Sequence, residues 1–282
     1  MPADRAAWAL TQRVALTNGE IAFDVLGRGP AVVLVHGTPT SSFLWRKIAP
    51  KLAEHFTVYV FDMLGFGDSE REVEQHVSIA VHAANLVELV EHWGISSPAV
   101  VGHDIGGGTI LRAHLVHDMP VASLTLIDAV VLRPWITPHT QHIRAHLDAF
   151  VTMPHTTWWA MTEGHLRRAV HREMAPEAFE GHFGQWRGPR GQALWLRNLR
   201  QFDEDHTREF EARLSEIDVP TLLLWGENDN WLDVKISEQL EQRIPGARRI
   251  VIEEAGHFAM EDQPQLVAHL LDEFLSDGFA RP

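Results

Sequence analysis

The stretch Val101-Gly102-His103-Asp104-Ile105-Gly106 joins an apolar, strand-like run to a helix-like pattern. Glycines two before and two after Asp104 give the Gly-x-nucleophile-x-Gly layout of a sharp strand-to-helix elbow, with a carboxylate in the central place. A carboxylate is already ionised at neutral pH, so it can attack an electrophilic carbon without a base to activate it. Three other apolar runs also end in distinctive residues: His36-Gly37-Thr38-Pro39, Asp229 and His257. One such ending could be chance, whereas four in this order make a specific signal. Each residue also has a plainer reading. Asp104 could cap the following helix. Asp229 could be a turn residue in the turn-rich GENDN, and His257 a satisfied loop histidine. Asp128, at the end of a further apolar run, is a rival for the acid role.

The elements that must position these residues follow a regular order. RVALTNGEIAFDVLGRGP holds two short strand-like runs around Asn18-Gly19, a hairpin signal. AVVLVHG (31–37) is a continuous apolar run ended by glycine, as in a strand buried on both faces. A helix is expected over SSFLWRKIAPKLAEHF with Ser41 or Ser42 as N-cap, and a strand over TVYVFDM (57–63). A long amphipathic helix is expected over VEQHVSIAVHAANLVELVEHWGI. The strand PAVVGHD, a helix from 105 to 118 and the strand VASLTLIDA (121–129) come next. From 131 to 213 no buried strand is legible; the segment is rich in His, Trp and Arg and reads as helices broken by Pro and Gly. The strand pattern resumes at VPTLLLWGEND (219–229), with a helix over 234–244, the strand ARRIVIEEAGH and the helix QPQLVAHLLDEFLSD. This alternation predicts an α/β fold with a mostly parallel sheet covered by helices on both faces. The predicted division is a core of 1–130 and 214–282 interrupted by a helical insertion, 131–213. Sites in such sheets lie where strands end at the carboxyl edge, where all four distinctive endings fall.

Composition narrows the partners. The chain has 282 residues, 45% of them hydrophobic, a formal net charge of −14 and no cysteine. The negative charge disfavours nucleic acid and anionic membrane surfaces. Without cysteine there is no disulfide framework and no thiolate metal site. The start MPADRAAWALTQRVALTNGE has no signal-peptide apolar core, and no window reaches membrane-span length, so a cytoplasmic location is expected.

On these motifs the chain resembles the α/β-hydrolases of the haloalkane dehalogenase and epoxide hydrolase branch. HGTPTSSFLWRKIAP (36–50), FDMLGFGDSE (61–70), GHDIGGG (102–108), WGENDNWLD (225–233) and AGHFAMEDQP (255–264) correspond in order and spacing, over roughly 12–130 and 214–278. The resemblance implies an α/β-hydrolase fold with the insertion as a helical cap, and no cofactor or metal. It implies Asp104 as a nucleophile that forms an alkyl ester at an sp3 carbon. His257 would then activate water to cleave that ester, with Asp229 orienting His257. The backbone N–H groups of Thr38 and Ile105 would bind the oxyanion. Trp231, beside the acid, is expected to line the pocket; Trp158 and Trp159 of the insertion are further candidates for substrate binding. FDMLGFGDSE is assigned a structural role.

The bond that is cut is less clearly written. Haloalkane dehalogenases typically hold halide with a Trp just after the nucleophile and a second Trp or Asn donor; here Ile105 and Thr38 stand at those core positions. Cap tryptophans could replace the pair: Trp135, Trp158, Trp159, Trp186, Trp195, or Trp231 beside the acid. Haloacetate dehalogenases place arginines just after the nucleophile, where this chain has Ile105 and Gly108. An acid substrate would need a cap arginine such as Arg133, Arg144, Arg167 or Arg168. Epoxide hydrolases use cap tyrosines as acids, and the single tyrosine here, Tyr59, lies in a core strand. A cap histidine could serve instead: His139, His142, His146, His155, His165, His171 or His182. His142 and His146 have the i,i+4 spacing of a metal pair but lack the glutamate of a zinc protease between them. The leading expectation is a dehalogenase acting on a small organic substrate with water, releasing halide. Epoxide hydrolysis through a histidine donor is the alternative, and a ligand-binding protein with a decayed site a third.

Overall fold

The computed structural model describes residues 6–280; residues 1–5, the start of the segment read for a leader, and 281–282 lie outside it. Eight strands form one sheet: β1 Gln12–Leu16, β2 Gly19–Gly27, β3 Ala31–Val35, β4 Thr57–Phe61, β5 Ala99–His103, β6 Ser123–Ile127, β7 Thr221–Gly226 and β8 Arg248–Ile252. Their order is β1-β2-β4-β3-β5-β6-β7-β8. The first two pairings are antiparallel and all the rest parallel. The β1–β2 hairpin pairs Leu16 with Gly19 across the two-residue turn Thr17-Asn18. Every residue of β5, β6 and β7 is buried. Because side chains alternate between faces, that is possible only if helices cover both sides.

A 3-10 helix, Ser42–Lys47, is capped by Ser41, whose hydroxyl accepts from the Phe43 amide. The helices are α1 Ala49–Leu52, α2 Ile79–His92, α3 Ile105–Leu115, α4 Pro138–Ala145, α5 Leu147–Val151, α6 His155–Leu166, α7 Pro176–Phe183, α8 Gly188–Arg200, α9 Asp205–Glu211, α10 Lys235–Arg243, α11 Ala259–Asp262 and α12 Pro264–Ala280. Helix α2 is shorter than its apolar pattern. Ser78 caps it through a bond to the Val81 amide, and Gly94 follows its end at a φ of +67°. The preceding residues are held out of the helix: Arg197 donates to the Glu72 carbonyl, and the Val77 amide donates to Gln201.

Among the described residues no strand lies between β6 and β7. There α8 packs against α4, α5 and α6, whereas α9 lies against the core helices α2 and α3. Arg112 of α3 fastens α9 by donating to the His206 carbonyl and to Glu209. No helix of the described chain is long and apolar enough to cross a membrane.

Candidate active site

Asp104 sits where β5 turns into α3, at φ 52° and ψ −125°. That backbone conformation costs a non-glycine residue of order 1–3 kcal/mol and persists only if its surroundings impose it. They do. The Asp104 carbonyl accepts from the Gly107 and Val130 amides, both at 2.9 Å. A Cβ at Gly102 would lie 2.6 Å from the Gly106 carbonyl oxygen, and one at Gly106 only 2.4 Å from that of His36. Both glycines are therefore required by close backbone approach. The carboxyl does not cap α3; Oδ1 accepts instead from the Thr38 amide at 2.8 Å. The turn that ends β3 thus delivers one of the two amides predicted to bind an oxyanion directly to the Asp104 carboxyl.

The loops after β7 and β8 bring in the other two residues. Asp229 is fixed by its own loop, its Oδ1 accepting from the Trp231 and Leu232 amides at 2.7 and 3.0 Å. Its Oδ2 accepts from His257 Nδ1 at 2.8 Å, which leaves Nε2 free to act. His257 Nε2 is buried without a hydrogen-bond partner and lies 3.6 Å from Asp104 Oδ2. That separation exceeds a hydrogen bond. The His257 carbonyl accepts from His103 Nε2 at 2.9 Å, and the Phe258 amide donates to the Ala169 carbonyl at 2.8 Å. His103 of the elbow and the helical segment between β6 and β7 thus both hold the His257 loop.

Burial alone would push the His257 pKa down, but Asp229 and Asp104 on either side more than reverse this and hold it well above the ordinary value. Asp128, after β6, is fully buried and its carboxyl is driven well above the usual range by burial and by Asp229 beside it. His257 pairs with Asp229 and not with Asp128.

A cavity opens onto Asp104. Its volume, counted as the space open to centres of water-sized molecules, is about 60 Å³. Since a water needs roughly 10–15 Å³ on that measure, the cavity takes on the order of four to six such groups. Its walls include Thr38, Ile105 and Trp231, as well as Trp135, His165, Trp195 and Phe202. No Lys, Arg or Tyr is among them. The indole N–H groups of Trp195 and Trp231 are buried without a partner, whereas that of Trp135 donates to Thr207 at 3.2 Å. His165 stacks on Trp231 (centroids 4.8 Å), which in turn sits 4.8 Å from the His257 ring. Burial, with His139 and Arg168 adding to it, holds His165 at about 3, so it is neutral at working pH.

Several expected contributors stand elsewhere. Trp158 shares a helix face with His165 but lies two turns, about 10 Å, nearer the start of α6. It is buried there against Trp195 and does not line the cavity. Trp159 is rotated away; it donates to Glu163, and the Arg187 guanidinium covers its ring. Trp186 donates to the Pro39 carbonyl. Arg133 and Arg167 pair with Glu211 and Glu163, and Arg144 and Arg168 are exposed. Tyr59 packs against Trp93, ring centroids 4.7 Å apart and tilted at 36°. Of the seven candidate histidines only His165 lines the cavity; His182 is buried in a cluster with Arg46, Thr40 and Glu261. His142 and His146 are exposed, and no group of three metal-ligating side chains occurs among the described residues. The wall formed by Trp195 and Leu199 of α8 and by Phe202 just beyond it is not legible as a unit in the sequence, although the i, i+4 spacing of Trp195 and Leu199 marks one helix face.

Residues 32–270 match the alpha/beta hydrolase family. The chain is similar to an alpha/beta hydrolase fold protein from Burkholderia ambifaria, with 34% identity, 93% of this chain and 97% of that one covered, and a TM-score of 0.89. It is 25% identical to a fluoroacetate dehalogenase of a Burkholderia species over 89% of each chain. It is 26% identical to bifunctional epoxide hydrolase 2 of Sus scrofa over 92% of this chain, which spans about half (54%) of that protein.

Proposed function

The chain belongs to the alpha/beta hydrolase family, and from that premise we propose that it hydrolyses the carbon–halogen bond of a small, uncharged organic substrate through an ester on Asp104. The observation that carries this reading is that two tryptophans lining the cavity that holds Asp104, Trp195 and Trp231, have buried indole N–H groups without a partner. Burying a donor without an acceptor costs free energy. A halide leaving from carbon would supply the acceptor as its charge develops, which is when stabilisation accelerates a reaction.

Asp104 Oδ2 is the attacking atom in this scheme. Oδ1 stays on the Thr38 amide, with the Ile105 amide as the second oxyanion donor. Attack forms a carbon–oxygen bond and expels halide. Once the ester has removed the Asp104 charge, His257, held by Asp229, releases its resting proton to solvent; the neutral ring then takes a proton from water as the water adds to the Asp104 carboxyl carbon, releasing the alcohol and restoring the carboxylate. The helices between β6 and β7 act as the cap, supplying Trp195 and His165 to the cavity.

The substrate is uncharged because no cation lines the cavity, in contrast to what binding a haloacid would need. Epoxide opening is the weaker reading. It requires an acid at the oxygen, yet Tyr59 is remote from the cavity and His165 is held neutral. A decayed ligand-binding site has no need of the linked Asp104, His257 and Asp229. The test is a panel of short chloro-, bromo- and epoxyalkanes and haloacetates. Halide release from neutral substrates supports the proposal. Diol formation alone, or release from haloacetates alone, overturns it.

A further inference from the structure

Beside the proposed triad lies a second buried carboxyl to which the scheme above gives no part. Asp128 is fully buried and takes a φ of +44° at the end of β6. Its Oδ1 accepts from the Gly226 amide at 2.8 Å, which pins it to the end of β7. Its Oδ2 has no donor within reach, and the side chain it adjoins is the Asp229 carboxyl. Asp229 has no proton of its own to offer. Its Oδ1 accepts two backbone amides and its Oδ2 accepts the His257 imidazole, a pattern that suits an ionised acceptor. Two bare carboxylates cannot rest against each other in a dry site; the contact becomes favourable once a proton sits between them.

We propose, resting on the triad assignment above, that Asp128 and Asp229 hold one proton between them, seated on Asp128, so that a neutral carboxyl group donates a hydrogen bond to the triad acid. Charge counting supports this. With His257 protonated, Asp104 and Asp229 leave the buried site at −1, and a third carboxylate would double that without a new cation. The other titratable groups about His257 are His103, His165 and Asp104; burial holds both histidines low, so neither supplies the missing charge. The shared proton also has a use. A carboxylate that accepts an additional hydrogen bond pulls less strongly on its imidazole, which lets His257 give up its proton once Asp104 has become an ester. Asp128 is in this sense a positioning and tuning residue, acting through Asp229.

Two readouts need no substrate. In the infrared, wild-type protein at neutral pH should show the carbonyl stretch of a buried protonated carboxyl, and D128N should lack it. In an NMR titration of His257, D128N replaces one neutral donor by another, so the midpoint should move by less than about half a pH unit. D128A removes the donor, so the midpoint should rise. An ionised Asp128 in the wild type would give the opposite: no infrared band, and a fall of more than about one pH unit in D128N as a nearby negative charge is lost. Either result overturns the proposal. Should D128A fail to fold, the isosteric D128N and the wild-type spectrum still decide. Loss of the dehalogenase reading, by contrast, would appear as absent halide release and leave both readouts unmoved.

Discussion

Replacing Trp195 or Trp231 by phenylalanine deletes one N–H donor and keeps an aromatic ring in the cavity wall. Each N–H is buried and has no protein acceptor, so no internal hydrogen bond is lost with it. What would be lost under the proposed scheme is the bond to the departing halide, a charge-assisted contact worth about 1.5–3 kcal/mol in a dry site. At 1.36 kcal/mol per tenfold, each single variant should release halide about 10- to 150-fold more slowly in a single turnover. The double variant should lose at least the larger of the two factors, and chloride, the poorer leaving group, should suffer more than bromide. W159F is the control. Its indole is off the cavity and bonded to Glu163, so its rate should stay within about twofold of wild type. Melting curves separate lost packing from lost chemistry, because the smaller ring also leaves a void. If W195F and W231F each slow release by less than about threefold while folding normally, the two N–H groups do not hold the leaving group. The halide reading then loses the observation that carries it.

Three further outcomes follow from the same geometry. H257Q removes the base for the second step and leaves Asp104 on the Thr38 amide, so intact-protein mass spectrometry should find an alkyl adduct on Asp104; an adduct elsewhere, or full turnover by D104A, contradicts the scheme. Stability to urea should fall as pH rises above about 8, where the other histidines are neutral both folded and unfolded. His257 and Asp128 both have raised pKa values, so each binds its proton more tightly folded than unfolded, and that contribution is lost as pH climbs through the folded value. The histidines held neutral by burial, such as His82, His103 and His165, add stability as pH climbs through their unfolded value of about 6.5, so the window starts above them; a flat or rising profile above about pH 8 would show that His257 is not held protonated. G106A places a methyl 2.4 Å from the His36 carbonyl oxygen and should cost about 2–3 kcal/mol or more, with loss of the elbow; an unchanged melting temperature would mean the elbow is looser than described.

The parts of the site written in short stretches of sequence were legible, and those made by helix packing were not. Asp104, Asp229 and His257 each follow a strand of the parallel part of the sheet, which brings strand ends to one edge, so their meeting follows from order alone. The glycines around Asp104 speak through the same local logic. The cavity wall does not. Trp158 and Trp195 look equally suitable in the sequence, but helix phase and distance along α6 bury the first under α8 and leave the second at the cavity. Seven histidines were interchangeable until tertiary packing stacked His165 on Trp231. The apolar run before α2 overstated that helix because Ser78 competes locally for its first turn.

The charges of the site also assign its two steps an order. In the resting protein His257 lies between two carboxylates, and their combined pull, against the cost of burial, keeps it protonated. A protonated imidazole cannot act as a base, so it does not compete for a proton while Asp104 attacks. In the proposed scheme, forming the ester removes the Asp104 charge, one of the two that raise His257; the ring then loses its proton to solvent and can accept one from the attacking water. On that scheme the first step creates the base needed by the second. In that scheme Asp229 must be strong enough to orient the ring but not so strong as to keep it charged, and the neutral Asp128 proposed above would moderate that pull.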